Sequence, residues 1–101
     1  MALSIKPGVK LLGVQPIMLF ASHVVEGVYT EFGIDCVITS GTDGEHGNHS
    51  HHYKGLAFDF RTRNVPTYRL QTLFKLIQER LGSNFQVVLE SDHIHVEYDP
   101  Q

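Results

Sequence analysis

What this chain lacks narrows it first. It has one cysteine in 101 residues, so it can build neither a disulfide framework nor a cysteine-rich structural zinc site. That residue, Cys36, sits in the mostly apolar run Ile34 to Thr39, where a buried, reduced thiol is the natural reading. Basic residues are not in excess either. Eight Lys and Arg against eleven Asp and Glu give a formal charge of −3 and a pI near 6.1. That balance excludes nucleic acid as the main partner, because phosphate binding needs a basic surface, and the seven histidines shift it only below neutral pH. No apolar run is long enough for a membrane span. The apolar residues after Lys6 and Lys10 are interrupted at Gln15 and Pro16, so no secretory signal is read there. Linkers rich in proline or serine, internal repeats and low-complexity tails are also missing.

What remains suits one core. With 42% hydrophobic and 19% charged residues, the chain is long enough for one domain, expected over residues 1–101, and too short for two. From Pro16 the apolar spacing is helical: Ile17, Phe20, Ala21, Val24, Val25, Val28 and Phe32 form a stripe. Pro16 suits a first helical position and Gly33 a stop. His23 lies beside that stripe and reads as a surface or core-edge residue. Cys36-Val37-Ile38-Thr39, stopped by Ser40-Gly41, reads as a short internal strand. A second helix is expected from Thr67 to Leu81, entered through Asn64-Val65-Pro66 and closed by Gly82, with Leu70, Leu73, Phe74, Ile77 and Leu81 on its buried side. Phe85 to Glu90 and His93 to Tyr98 read as two strands joined by a tight turn at Ser91-Asp92, although that turn lacks the usual glycine.

The chemistry gathers between Ser50 and Asp59. His52 and Asp59 offer an imidazole and a carboxylate, and the pair His93 and His95 lies near the C-terminus. Two histidines and a carboxylate form a catalytic zinc set, which leaves a fourth position open for water. Seven extended residues would span roughly 23–25 Å, far beyond the reach of two bonds of about 2 Å to one ion. The chain must therefore fold back between His52 and Asp59, and Gly55 is the residue suited to the reversal. Leu56 to Arg61 then reads as a strand. Gly55, Ala57 and Asp59 share one face; Leu56, Phe58 and Phe60 share the other, towards the core. In the last strand, Ile94, Val96 and Tyr98 face the core and His93, His95 and Glu97 the opposite side. The loop histidines His46, His49 and His51 read as surplus to the site.

Ser50-x-His52-x-x-Gly55-x-Ala57-x-Asp59, followed by Asp92-His93-Ile94-His95, resembles the two signature motifs of the zinc D-Ala-D-Ala carboxypeptidases and phage L-alanyl-D-glutamate endopeptidases. These enzymes share a fold with the Hedgehog signalling domain. The resemblance covers nearly the whole chain and implies an α+β domain with a small antiparallel sheet carrying a zinc site, packed with two main helices. It makes His52, Asp59 and His95 the zinc ligands and Asp92 the base. Glu90-x-x-His93 offers the same spacing and stays open as the alternative register. His93 and Ser50 would then support the site or touch the substrate. The arginine that relatives place after the Ser-Gly strand end is missing, and Arg61 is the candidate substitute. The implied activity is hydrolysis of an amide in the peptidoglycan stem peptide. It would be carried out by an enzyme made in the cytoplasm without a signal peptide and, by analogy, released by or carried on a phage. The alternative is a non-catalytic zinc-binding recognition module of the same fold.

Overall fold

Residues 3–43, 51–52 and 54–100 are described by a computed structural model. Both expected helices form. The first, α1 (Pro16–Glu31), starts with its proline in the first turn and ends at Phe32. Gly33 follows at φ +72°, and the N–H groups of Gly33 and Ile34 close the last turn onto Thr30 and Tyr29. The second, α2 (Thr67–Leu81), has the expected bounds, with Gly82 at φ +82° beyond it. Leu73, Ile77 and Leu81 are buried on its inner side.

The apolar stripe of α1 is rotated from its expected position. Met18, Ala21, Ser22, Val25, Val28 and Tyr29 face inward, whereas Phe20 is 53% exposed. The apolar arc of this helix is wider than the surface it packs on, so spacing alone does not choose its centre. Tyr29 helps to choose it: its hydroxyl donates to the carbonyl of Arg61 at 2.7 Å, which needs Tyr29 turned towards the sheet. Burial, and secondarily Cys36, push the Tyr29 phenol above its ordinary pKa. His23 is exposed, as expected.

The strands are β1 (Leu3–Ile5), β2 (Cys36–Ser40), β3 (Ala57–Arg61), β4 (Phe85–Leu89) and β5 (His93–Tyr98). They form one five-stranded sheet in the order β1-β2-β3-β5-β4. This corrects the expectation of a purely antiparallel sheet. β1, unforeseen, pairs parallel to β2, with Ile5 opposite Ile38; the other pairings are antiparallel. β2 is internal. The turn between β4 and β5 falls at Ser91-Asp92, closed by the Glu90 N–H donating to the His93 carbonyl at 2.9 Å. Neither turn residue has positive φ, so the turn does without glycine by avoiding the primed geometries that favour it.

Two layers result. Phe58 and Phe60 of β3 and Ile94 and Val96 of β5 join the residues of α1 and α2 in one apolar cluster. Cys36 lies in that cluster, and burial followed by Glu26 pushes its thiol above the ordinary range. The alternate residues of β3 and β5 point to the face away from the helices. Arg80 and Glu31 pair across the two helices on the outside. No helix among the described residues is long and apolar enough to cross a membrane.

Candidate metal centre

Cross-strand register builds the site. On the face away from the helices, Ala57 lies opposite Glu97, Asp59 opposite His95 and Arg61 opposite His93. Facing residues on antiparallel strands sit within about 5 Å of one another at Cβ, so Asp59 and His95 meet although 36 positions separate them. His52 arrives from the loop before β3. Gly55, at φ +73°, makes the reversal, and its N–H donates to the His52 carbonyl at 3.0 Å. A side chain at Gly55 would collide with the Gly13 carbonyl. The glycine is thus required both for its conformation and for the close passage of residues 13–15, tied on by the Gln15 N–H donating to the Gly55 carbonyl at 2.9 Å.

Three donor atoms converge. His52 Nε2 is 3.2 Å from Asp59 Oδ1 and 3.2 Å from His95 Nδ1, and His95 Nδ1 is 2.9 Å from Asp59 Oδ1. Bonds of about 2.0–2.1 Å at tetrahedral angles place ligand atoms about 3.3 Å apart, so the set has the spacing of metal ligands. The far nitrogens are also occupied. His52 Nδ1 lies 2.8 Å from the Gly41 carbonyl and His95 Nε2 2.8 Å from Glu97 Oε1. Both acceptors call for an N–H there, which leaves lone pairs on the nitrogens that face Asp59. Two lone pairs and a carboxylate aimed at one point demand a cation, either protons on the rings or a metal ion. His52, 3% exposed, and Asp59, 9% exposed, are shielded from water. These three residues could hold a metal ion.

The electrostatics of the metal-free protein reflect that demand. Burial alone would raise the Asp59 pKa; hydrogen bonds from His52 and His95, with the charges of His52 and His93, outweigh it and hold the carboxyl well below the usual range. The hydrogen bond to Asp59 raises the His95 pKa; burial opposes the rise and Glu97 adds to it.

The remaining expected residues lie around this cluster. His93 Nε2 is 3.7 Å from Asp59 Oδ2, and His93 Nδ1 is 2.6 Å from Asp92 Oδ1. Asp92, Asp59, His93 and Arg61 line a cavity of ≈ 270 Å³ together with Lys6, Thr39, Ser40 and Arg63. Glu90 is exposed at the end of β4 and does not line it. Ser50, His46 and His49 fall outside the described residues. His51, read as surplus, instead lies 3.2 Å from Glu97 Oε2, so one carboxylate holds both His51 and His95.

Several site residues had no assigned part. Glu97 carried a signal, because His95-x-Glu97 places both on one strand face. Gly41 acts through its backbone carbonyl, which leaves no mark in a sequence. Thr39 and Ser40 both reach the cavity, although neighbours in a regular strand point to opposite faces; the register shift between Ile38 and Ser40 accounts for this. Lys6 and Arg63 had no local signal at all. Scans of protein-family models and searches of curated proteins and of solved structures find no match to this chain.

Proposed function

We propose that this chain is a zinc-dependent peptidase that hydrolyses an amide in the stem peptide of bacterial peptidoglycan, akin to D-Ala-D-Ala carboxypeptidases and L-alanyl-D-glutamate endopeptidases. The observation that carries the reading is the convergence of His52 Nε2, Asp59 Oδ1 and His95 Nδ1 within 3.2 Å of one another. These atoms come from the two motifs that resemble that family, and they belong to the residues that the resemblance nominates as ligands. Two imidazoles and one carboxylate without a thiolate match catalytic rather than closed structural zinc sites. When bound, zinc supplies a polarised carbonyl and a water with a pKa near 7 (about 15.7 in bulk).

The chain's own residues do the rest. The Gly41 carbonyl and Glu97 orient the two imidazoles. Asp92 is the base. It lines the cavity, which Glu90 does not, and its Oδ1 shares a hydrogen bond with His93 Nδ1 at 2.6 Å. An acid and an imidazole so joined accept a proton at the cavity and return it to a leaving amine. Action on the cell wall after release by a phage is the setting this reading implies.

The test is mass spectrometry of purified peptidoglycan fragments after incubation with zinc-loaded protein, beside an Asp92→Ala control. Loss of a terminal D-alanine identifies a carboxypeptidase, and separation of L-alanine from D-glutamate an endopeptidase. Full activity in the control moves the base to Glu90. No cleavage by folded protein that holds stoichiometric zinc rejects the peptidase in favour of a recognition module.

A further inference from the structure

We infer that the cavity beside Asp59 is the seat of a substrate carboxylate, held by Lys6, Arg61 and Arg63. The peptidase reading supplies the molecule that carries this carboxylate; the case for an anion stands on the cavity itself. Three cationic residues line it, two from the end of β3 and one from just past β1. Arg61 ends β3 and Arg63 follows two residues on. Lys6 is delivered by the parallel pairing of β1, where its N–H donates to the Ile38 carbonyl at 2.9 Å.

The two carboxylates on the same wall are already engaged: Asp59 with His52 and His95, Asp92 with His93. Among the described residues no ion pair involves Lys6, Arg61 or Arg63. Lys6, Arg61 and Arg63 set three cations against the two carboxylates of this cavity, and an entering monoanion balances the remaining positive charge. Arginine's planar fork matches a carboxylate in two parallel hydrogen bonds. Asp59 and Asp92 set the charge of the guest, since a dianion beside two carboxylates is repelled more than a monoanion. A volume of ≈ 270 Å³ is just under the range of about 300–1,000 Å³ for small-molecule sites, so it takes one small residue rather than a long segment. Asp59 is both cavity wall and metal ligand, which puts a carboxylate seated here next to the bond that is cut. These three cations then do the work of the arginine missing after Ser40-Gly41.

The test uses the zinc-loaded protein and two probes that differ only in charge, N-acetyl-D-alanine and N-acetyl-D-alaninamide, titrated by two-dimensional amide NMR. The acid should bind at least about tenfold more tightly than the amide, the scale of charge-assisted hydrogen bonds. Shifts should centre on Lys6, Arg61 and Arg63. A Lys6→Gln/Arg61→Gln/Arg63→Gln variant should lose the preference while keeping its zinc content and its amide spectrum elsewhere. The single Lys6→Gln variant, an exposed change with no folding consequence, should lose part of it. Equal binding of acid and amide, or no acid binding at tens of millimolar, overturns the inference. So does a preference that survives in the triple variant, which would put the acid on the metal, or tighter binding of inorganic phosphate than of the acid. If acid selectivity depends on the three cations but no stem peptide is cleaved, the carboxylate seat stands and the peptidase reading falls. Cleavage that ignores the three substitutions gives the reverse.

Discussion

Strands β3 and β5 each have two faces that do different jobs with alternating residues. Phe58, Phe60, Ile94 and Val96 close the core under the helices, while Asp59, His93, His95 and Glu97 gather polar groups on the other side. The first face is held by burial, which is non-directional and tolerates any partner of suitable shape. The second is held by hydrogen bonds of fixed direction between groups that repel unless a cation lies among them. One face therefore governs whether the chain folds. The other governs what it binds.

Adjacent residues allow that separation to be broken. Phe58→Ala removes a fully packed ring and should cost about 3–5 kcal/mol of unfolding free energy, a large part of the roughly 5–15 kcal/mol usual for a domain. Asp59→Ala, one residue away, should leave denaturant unfolding of the metal-free protein much less affected but abolish stoichiometric zinc by elemental analysis. If Asp59→Ala retained its zinc, or destabilised the metal-free chain as much as Phe58→Ala, the two faces would not be separable. A smaller effect sharpens the comparison within the polar face. Glu97 touches no proposed metal position but orients His95 and holds His51. Glu97→Ala should weaken zinc affinity by about 10–100-fold in competition with a chelating dye, with the unfolding curve of the metal-free protein nearly unmoved. An unchanged affinity would make Glu97 a bystander.

The same contrast explains what the sequence disclosed. The helix α2 was legible to the residue because Asn64-Val65-Pro66 and Gly82 mark its ends chemically, and β3 and β5 because period-2 alternation shows in any half-buried strand. The inner face of α1 was not, since an apolar arc wider than its contact surface leaves the rotation to tertiary partners such as the Arg61 carbonyl that receives Tyr29. At the site, spacing pointed to His52, Asp59 and the pair His93 and His95, the family resemblance singled out His95, and the group that could hold a metal ion is His52, Asp59 and His95; the expected fold-back at Gly55 is present with its positive φ. Lys6 was not. Its place depends on β1 pairing parallel to β2, a choice that three residues of strand do not announce. Arg63 lies beyond the end of β3, where alternation no longer says which way a side chain points.

The smallest effect asks whether the polar face carries its own charge logic without metal. In chelator-treated protein, Asp59 has a depressed pKa, so its contribution to stability is present above the unfolded value of about 3.9 and is lost as pH falls through the folded one. His95 has a raised pKa, so its contribution is complete below about 6.5 and is lost as pH rises through the folded value. Both contributions are present together only between those limits. The metal-free protein should therefore melt highest at mildly acidic pH, by a margin on the order of a few °C. Saturating zinc should move that maximum upward, because the ion replaces protons on the same nitrogens and binds best where they are absent. Asp59→Ala removes the carboxylate that perturbs His95, so its metal-free profile should flatten on both sides. A wild-type profile that is already flat, or one that Asp59→Ala leaves unchanged, would mean that the three donors do not share a cation in the metal-free state.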